Sequence, residues 1–345
     1  MLRKAIIFVF ILLLVVSSDF DKYVAGFRFF KYLIIVPSLL LVSSTKGTII
    51  LTPIARTYIF LFSNSVVLFL LGVHQSVNIE ELIIYLGIII VASSNFLSKV
   101  GSSTIFLSLL SYFIIIILID GVDINLAGIV LGDFSSIESN IIAFICPILF
   151  LFYLTQNKNK NKVSVYVNYV FSLLSIKRIT MIAMVLIVVF KKYVIKYKNI
   201  GIVLTSFLTI ALVILVSDVS IRDSVSDYLN ISLGLLTMGR STYYTYLIEG
   251  VNWNVLNLIF GYGIGHPQNI LEAALGVRFL IHNDWLKLFI EHGVIGFLGF
   301  IYLMRRLDPV ILITLSIWMI TDNIIVYFPV IILIQWYDLQ KNSIN

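Results

Sequence analysis

His282 lies in RFLIHNDWLKLFIEHGVIGFLG, residues 278–299, where Arg278, His282 and Asn283 meet the start of an apolar run. An imidazole titrates near neutral pH and needs little tuning to act as a general base. A lone interfacial histidine is more often a solvated or hydrogen-bonded side chain. Fixed positive charge comes from three arginines. Arg178 follows VSVYVNYVFSLLSI and opens the next apolar run, Arg240 sits in MGRSTYY, and Arg278 precedes His282. A guanidinium is always charged and binds phosphate through two parallel hydrogen bonds. Arg178, Arg240 and Arg278 are therefore a candidate diphosphate clamp. Snorkelling to lipid headgroups is the competing account of each, and the preferred one for Arg222.

Between Arg240 and Arg278 runs FGYGIGHPQN, residues 260–269. Its glycines Gly261, Gly263 and Gly265 permit tight or left-handed turns and close approach to a ligand. A nucleotide-binding glycine loop needs a preceding strand and a following helix, and neither is expected here. By pattern alone the segment is a turn between two interfacial helices. Two turns beyond His282, Glu291 and His292 are costly in hydrocarbon unless they face a cavity or each other. Gly293, Gly296 and Gly299 recur every third residue, which suits close helix packing. There is no H-E-x-x-H or Asp-rich metal pattern. The single cysteine, Cys146, lies inside an apolar run, which rules out a disulfide framework or a cysteine-based metal site. No cofactor is expected.

The elements that must position these residues are membrane spans. Of 345 residues, 60% are hydrophobic and 12% charged, far from the roughly one-quarter charged residues of a soluble domain. Apolar runs of the length a bilayer requires fall near 3–18, 27–44, 54–73, 82–98, 103–119, 141–155, 163–177, 179–195, 200–216, 285–304, 309–320 and 323–337. The expected fold is all-α: a single integral membrane domain over residues 1–345 with about 12 transmembrane helices. The run Ala5 to Val16 follows Arg3 and Lys4 but lacks a small-residue cleavage site, so it is expected to be a retained first span.

With both termini cytoplasmic, the basic clusters Lys158/Lys160/Lys162, Lys191/Lys192/Lys196/Lys198 and Arg305/Arg306 fall inside, as the positive-inside tendency requires. Of the 18 Asp and Glu, only Asp308 and Asp338 then lie inside. The net charge of +6 is thus explained by topology, and no nucleic-acid partner is expected. Arg178, Arg222, Arg240 and Arg278 break the rule by facing outward, which suggests that something negative holds them there.

Residues 217–284 form the long non-cytoplasmic loop. Tyr243, Tyr244, Tyr246, Leu247, Val251, Trp253 and Leu258 recur at roughly helical spacing. Helices lying in the membrane interface would hold a lipid-linked substrate at the right depth; an aromatic belt that merely anchors the loop is the alternative.

An SIKR arginine between spans, then GRSTYY, then FGYGIGH, then HNDWLKLFIEHGVIG entering a span: this order resembles the O-antigen polymerase and O-antigen ligase superfamily of bacterial surface-polysaccharide assembly. The resemblance covers the topology of the chain and specific residues between about 175 and 300. It implies a metal-independent membrane glycosyltransferase in the bacterial cytoplasmic (inner) membrane. Undecaprenyl-diphosphate-linked oligosaccharides would be both donor and acceptor, and flippase and chain-length regulator proteins would be partners alongside membrane lipids. By position, the family's essential arginines match Arg178 and Arg240 and its loop histidine matches His282; Arg278 has no firm equivalent. The arginines would neutralise the leaving diphosphate and His282 would deprotonate the acceptor hydroxyl.

An O-antigen or capsule repeat-unit polymerase is the expectation, since nothing in the chain can be tied to a lipid A core acceptor. The ligase is the alternative in the same class. A polysaccharide flippase or transporter is the alternative from another class, but transporters gather polar residues near the midplane, often in repeated halves. Here they gather in one loop. A purely structural assembly partner would tolerate substitution of His282 and Arg240.

Overall fold

A computed structural model describes residues 9, 12, 50–94, 96–108, 110–111, 142–155, 178–230, 232–233, 237, 239–276 and 280–342. The expected spans at 27–44 and 163–177, nearly all of that at 3–18, half of that at 103–119, the loop at 120–140 and Arg278 lie outside the described residues. In chain order the helices are α1 (Pro53–Leu70), α2 (Ile79–Ala92), α3 (Ile142–Thr155), α4 (Arg178–Ser217), α5 (Val219–Leu229), α6 (Arg240–Gly250), α7 (Val255–Phe260), α8 (His266–Leu275), α9 (Asp284–Met304), α10 (Pro309–Trp318) and α11 (Phe328–Asn342). Among the described residues there is no strand. Helices are what lipid demands, because each satisfies its own backbone groups. Three of them, α1, α4 and α9, are long and apolar enough to cross a membrane. The chain is a helical membrane protein.

Among the described residues, two stretches differ from the spans expected from hydropathy. Residues 179–195 and 200–216 were expected to be two spans joined by a lysine-rich turn, whereas α4 is one helix of 40 residues. The reason is local: lysine is a good helix former, and neither proline nor glycine occurs in α4 before Gly201. The apolar runs at 309–320 and 323–337 become α10, of 10 residues, and α11, of 15, with a short 3₁₀ turn at Ile324–Val326 between them. Both helices are shorter than the ~20 residues of a complete span.

The chain divides into two compact units: residues 1–55, 87–191 and 327–345 in the first, 56–86 and 192–326 in the second. A single domain was expected from the sequence. Each unit draws on separated chain segments, so no linker marks the division.

In the first unit, α3 is apolar on all sides and is buried from Phe144 to Leu151. It packs on α11, with the Phe152 and Trp336 rings 4.5 Å apart. The Trp336 indole N–H donates to the Val100 carbonyl at 2.8 Å, and the Gln340 amide to that of Ser98 at 2.8 Å.

In the second unit, the C-terminal half of α4 runs antiparallel to α9. Lys198 Nζ donates to the Leu307 carbonyl at 3.3 Å at one end. Phe207 and Phe297 meet edge to face at 5.5 Å midway. At the other end the Thr245 hydroxyl donates to the Ser217 carbonyl at 2.8 Å, bringing α6 onto the tip of α4. Residues 198–217 and 284–304 each rise roughly 30 Å, one bilayer core. α1 joins them where Phe60 lies against Gly299, which has no room for a β-carbon, and where Asn64 meets His292 at 3.5 Å.

The 217–284 segment folds as the short helices α5 to α8. Asp218 caps α5 by accepting the N–H groups of Ser220 and Ile221 at 2.9 and 3.1 Å. The Ser220 hydroxyl also donates to Asp218, at 2.6 Å, and contributes most to holding its carboxyl below the ordinary range. Beneath the helices is one apolar core of Val213, Tyr244, Leu247, Val251, Tyr262, Leu271, Ile281, Leu286 and Ile290.

α9 is not continuous. At Gly293 the backbone turns to φ 62°, ψ −169°, outside the helical region. The Ile290 carbonyl instead receives the N–H of Tyr262 at 3.0 Å, and the Glu291 carbonyl that of Gly263 at 2.9 Å. Gly261, at φ 83°, lies so close that a β-carbon on either glycine would overlap the other segment's backbone. Gly276 also has positive φ, 71°, but nothing within 4 Å of where its β-carbon would stand. Gly261→Ala and Gly293→Ala are therefore expected to cost at least about 3 kcal/mol, against about 1 kcal/mol for Gly276→Ala. Thermal unfolding midpoints in detergent check this, and equal losses at all three positions would refute the close contact.

Candidate functional site at the head of α9

Asn283 opens α9 as its N-cap. Its side-chain oxygen accepts the Leu286 N–H at 3.0 Å, satisfying one of the free donors at a helix start. His282 is thereby fixed at the lip of the helix. Its side chain is 41% exposed, yet Nδ1 points inward, 3.9 Å from Oδ1 of Asp322, whose side chain is 1% exposed. That distance is an electrostatic approach, longer than a hydrogen bond.

Asp322 is brought there by the break between α10 and Ile324–Val326. The Asp284 N–H donates to the Met319 carbonyl at 2.9 Å, and Asp284 Oδ2 accepts the Ile325 N–H at 2.9 Å. The Tyr58 hydroxyl donates to the Ile325 carbonyl at 2.7 Å, and the Trp285 indole N–H to that of Ser316 at 3.0 Å. The turn carrying Asp322 is thus tied to the first turn of α9 and to α1. Sequence reasoning missed Asp322 as a partner. The available signal was an acid in the polar triplet Thr321-Asp322-Asn323 between two apolar runs, where a carboxylate needs a reason to be.

Arg240 is the first residue of α6, entered through Gly239 in the left-handed conformation. One turn later Tyr244 is buried, and burial pushes its phenol above the ordinary value. The Arg240 charge and a hydrogen bond with the Asn283 side chain act in the opposite direction. Asn283, His282 and Asp322 thus stand together at the head of α9, and Tyr244, which feels both the Arg240 charge and the Asn283 side chain, sits beside them in the apolar core with Leu247 and Ile281. This makeup suits an anion beside a proton acceptor. Arg178 heads α4 in the first unit, with its side chain outside the described residues, as all of Arg278 is.

The three loop glycines meet protein. Gly261 lies on the α9 break, Gly263 against the Ser76 carbonyl and His74, and Gly265 against Asn78. The α1–α2 connection grips the same loop from the other side. Gln75 N–H donates to the Tyr262 carbonyl at 2.9 Å, Asn78 N–H to that of Ile264 at 3.0 Å, and His74 Nε2 meets that of Phe260 at 2.9 Å. Burial holds the His74 imidazole below its ordinary value despite that carbonyl. His266, also lowered by burial, stacks on the Tyr262 ring at 4.3 Å.

Glu291 turns inward to a buried ionic network. Its Oε1 accepts the Gly265 N–H at 2.8 Å and lies 3.9 Å from Lys287 Nζ, one turn earlier in α9. Lys287 reaches Glu81 Oε2 at 2.5 Å, and the Gln268 amide donates to Glu81 Oε1 at 3.0 Å. Helices α2, α8 and α9 and the glycine loop are joined through one ammonium. Among the described residues, no group of three or more His, Cys, Asp or Glu could hold a metal ion.

Fold and site define a helical membrane protein with a polar, partly open group at one end of its apolar helices. In comparisons with protein-family models, curated proteins and solved structures, the chain matches none.

Removing the Lys287 ammonium would leave Glu81 and Glu291 as uncompensated buried charge. Lys287→Met is expected to lower stability by about 3–5 kcal/mol, and Glu81→Gln/Lys287→Met to recover part of that loss. A double-mutant cycle on thermal unfolding measures the coupling, and additive losses would show the pair to be idle.

Proposed function

We propose that this protein is a polymerase of surface-polysaccharide repeat units, O-antigen or capsule, acting on undecaprenyl-diphosphate-linked oligosaccharides at the outer face of the cytoplasmic membrane. A half-exposed His282 with a buried carboxylate behind it is the observation that carries this proposal.

A sugar on a lipid diphosphate is already activated, so the protein must supply a proton acceptor and charge for the leaving group. Asp322 facing Nδ1 favours the tautomer that carries its proton there, leaving Nε2 as the base. Nε2 takes the proton of an acceptor hydroxyl, whose oxygen attacks the anomeric carbon. The bond from that carbon to the diphosphate oxygen breaks, and undecaprenyl diphosphate departs with the electron pair. In this reading Arg240 balances the charge developing there, commonly the largest single contribution to such catalysis. Arg278 belongs to the clamp by sequence position. Arg178, expected there by sequence position and resemblance, begins the continuous 40-residue α4, whose other end, Ser217, is the one that meets α6, so Arg178 is not counted in the group at Arg240. Asn283, Tyr244 and the core beneath hold the base and the guanidinium in register. The group stands at the end of α9 opposite Arg305 and Arg306, which are expected to be cytoplasmic, so it faces outward.

Deleting the gene in its own host and examining surface polysaccharide by gel tests this. Loss of a polymerase leaves single repeat units. Loss of a ligase leaves none on lipid A, and loss of a flippase traps units inside. Complementation with His282→Ala or Arg240→Ala is expected to leave single units, and Asp322→Asn to slow chain growth about 10²-fold or more. Normal chains from His282→Ala at normal abundance would contradict the assignment.

A further inference from the structure

The end of α9 away from His282 carries positive charge that the proposed chemistry does not use. Arg305 and Arg306 follow Met304 directly, and both are exposed. The Arg305 guanidinium lies over the Tyr302 ring, 4.0 Å from its centre, with Arg306 at 5.9 Å from the same ring. From α4, Lys198 reaches the Leu307 carbonyl at 3.3 Å, which sets its ammonium beside the two arginines along the chain. Lys196 stands two residues away, exposed, with its ammonium 5.0 Å from the Tyr197 ring. Just beyond, Gly201 meets Ile313 so closely that a β-carbon would overlap it, closing α4 onto α10. Among the described residues, no carboxylate lies within ion-pairing distance of Lys196, Lys198, Arg305 or Arg306. Asp308, the nearest acid in sequence, accepts the Val310 N–H at 3.0 Å as the cap of α10.

We propose that Lys196, Lys198, Arg305 and Arg306 form a binding site for the headgroup of an anionic phospholipid. Lys198 from α4 and the two arginines that follow α9 lie where these apolar helices reach the end of a bilayer thickness, beside the aromatic ring of Tyr302, and exposed Lys196 adds a fourth charge two residues along α4. Tyrosine favours the headgroup layer, and basic pockets between membrane helices take acidic headgroups. The stacked Arg305 offers a pre-oriented fork for two phosphate oxygens, while Lys198, held by a carbonyl, keeps two further donors. The acyl chains would then lie along the exposed apolar side chains of α4 and α9, among them Leu204, Phe207, Leu298 and Ile295. The site lies at the opposite end of the helices from His282 and is independent of the proposed reaction.

Native mass spectrometry of the full-length protein released from detergent, titrated with phosphatidylglycerol or phosphatidylcholine, tests this. The wild-type protein should retain phosphatidylglycerol and shed phosphatidylcholine. Each charge removed should weaken retention about fivefold, the factor for roughly 1 kcal/mol per basic residue near a charged headgroup. Lys196→Gln/Lys198→Gln/Arg305→Gln/Arg306→Gln should therefore lose it by roughly 600-fold if the charges add. Arg222→Gln, which removes a charge that lies 3.7 Å from the Asp223 carboxylate and away from this cluster, should retain the lipid. Arg305→Gln alone provides the reading where the quadruple variant does not fold. Unchanged retention in the Lys196, Lys198, Arg305 and Arg306 variants, an equal loss in Arg222→Gln, or equal binding of phosphatidylcholine would each overturn the proposal.

Discussion

A helix that breaks inside a membrane releases carbonyls that neither lipid nor its own backbone can satisfy, and at Gly293 α9 does this beside Glu291. The Tyr262 and Gly263 N–H groups fill the vacancy. Only two backbones without β-carbons can approach so closely, so the loop at 260–266 and the break in α9 require each other. The rest of the second unit follows from that contact. The loop is pinned on its far side by the α1–α2 connection, and α8, which begins at its end, is set against α9 and α2. The first turn of α9 is then available to carry Asn283 and His282 at a fixed height above the apolar core.

The buried ionic network belongs to the same constraint. A lysine with two glutamates inside a helix bundle is weak evidence for stability, because desolvation offsets most of the attraction. What it supplies is register. Lys287 reaches α2 through Glu81, Glu81 reaches α8 through Gln268, and Glu291 reaches the glycine loop through Gly265. A slip of α9 by one residue would separate Lys287 from Glu81, leaving charges unpaired away from water. Charge near the membrane interior thus holds four segments in one arrangement. The more exposed group at Arg240 and His282 is left accessible.

Much of the site was legible locally. His282 and Asn283 at the mouth of a span, Arg240 at the start of a loop helix, and helices within 217–284 all follow from residue type and short-range pattern. The contacts that give those residues surroundings did not. Glu81 and Lys287 are 206 positions apart, and His282 reaches Asp322 across α9 and α10. Periodicity carries no information about such pairings. Gly261, Gly263 and Gly265 announced a close approach, but the same pattern serves a ligand or a neighbouring backbone, and here the neighbour is α9. Hydropathy erred at α4 for a related reason. Four lysines mark a polar interval, yet lysine propagates a helix as well as leucine does, so polarity alone could not end one.

The central claim is that the group around His282 joins sugars by displacing a lipid diphosphate. The most direct measurement places the purified full-length protein in proteoliposomes with an undecaprenyl-diphosphate-linked repeat unit. It follows chain length and free undecaprenyl diphosphate together, with a chelator present. The account predicts one undecaprenyl diphosphate released for each new linkage. Substrate left unlengthened, or moved across the bilayer with its diphosphate still attached, would contradict it.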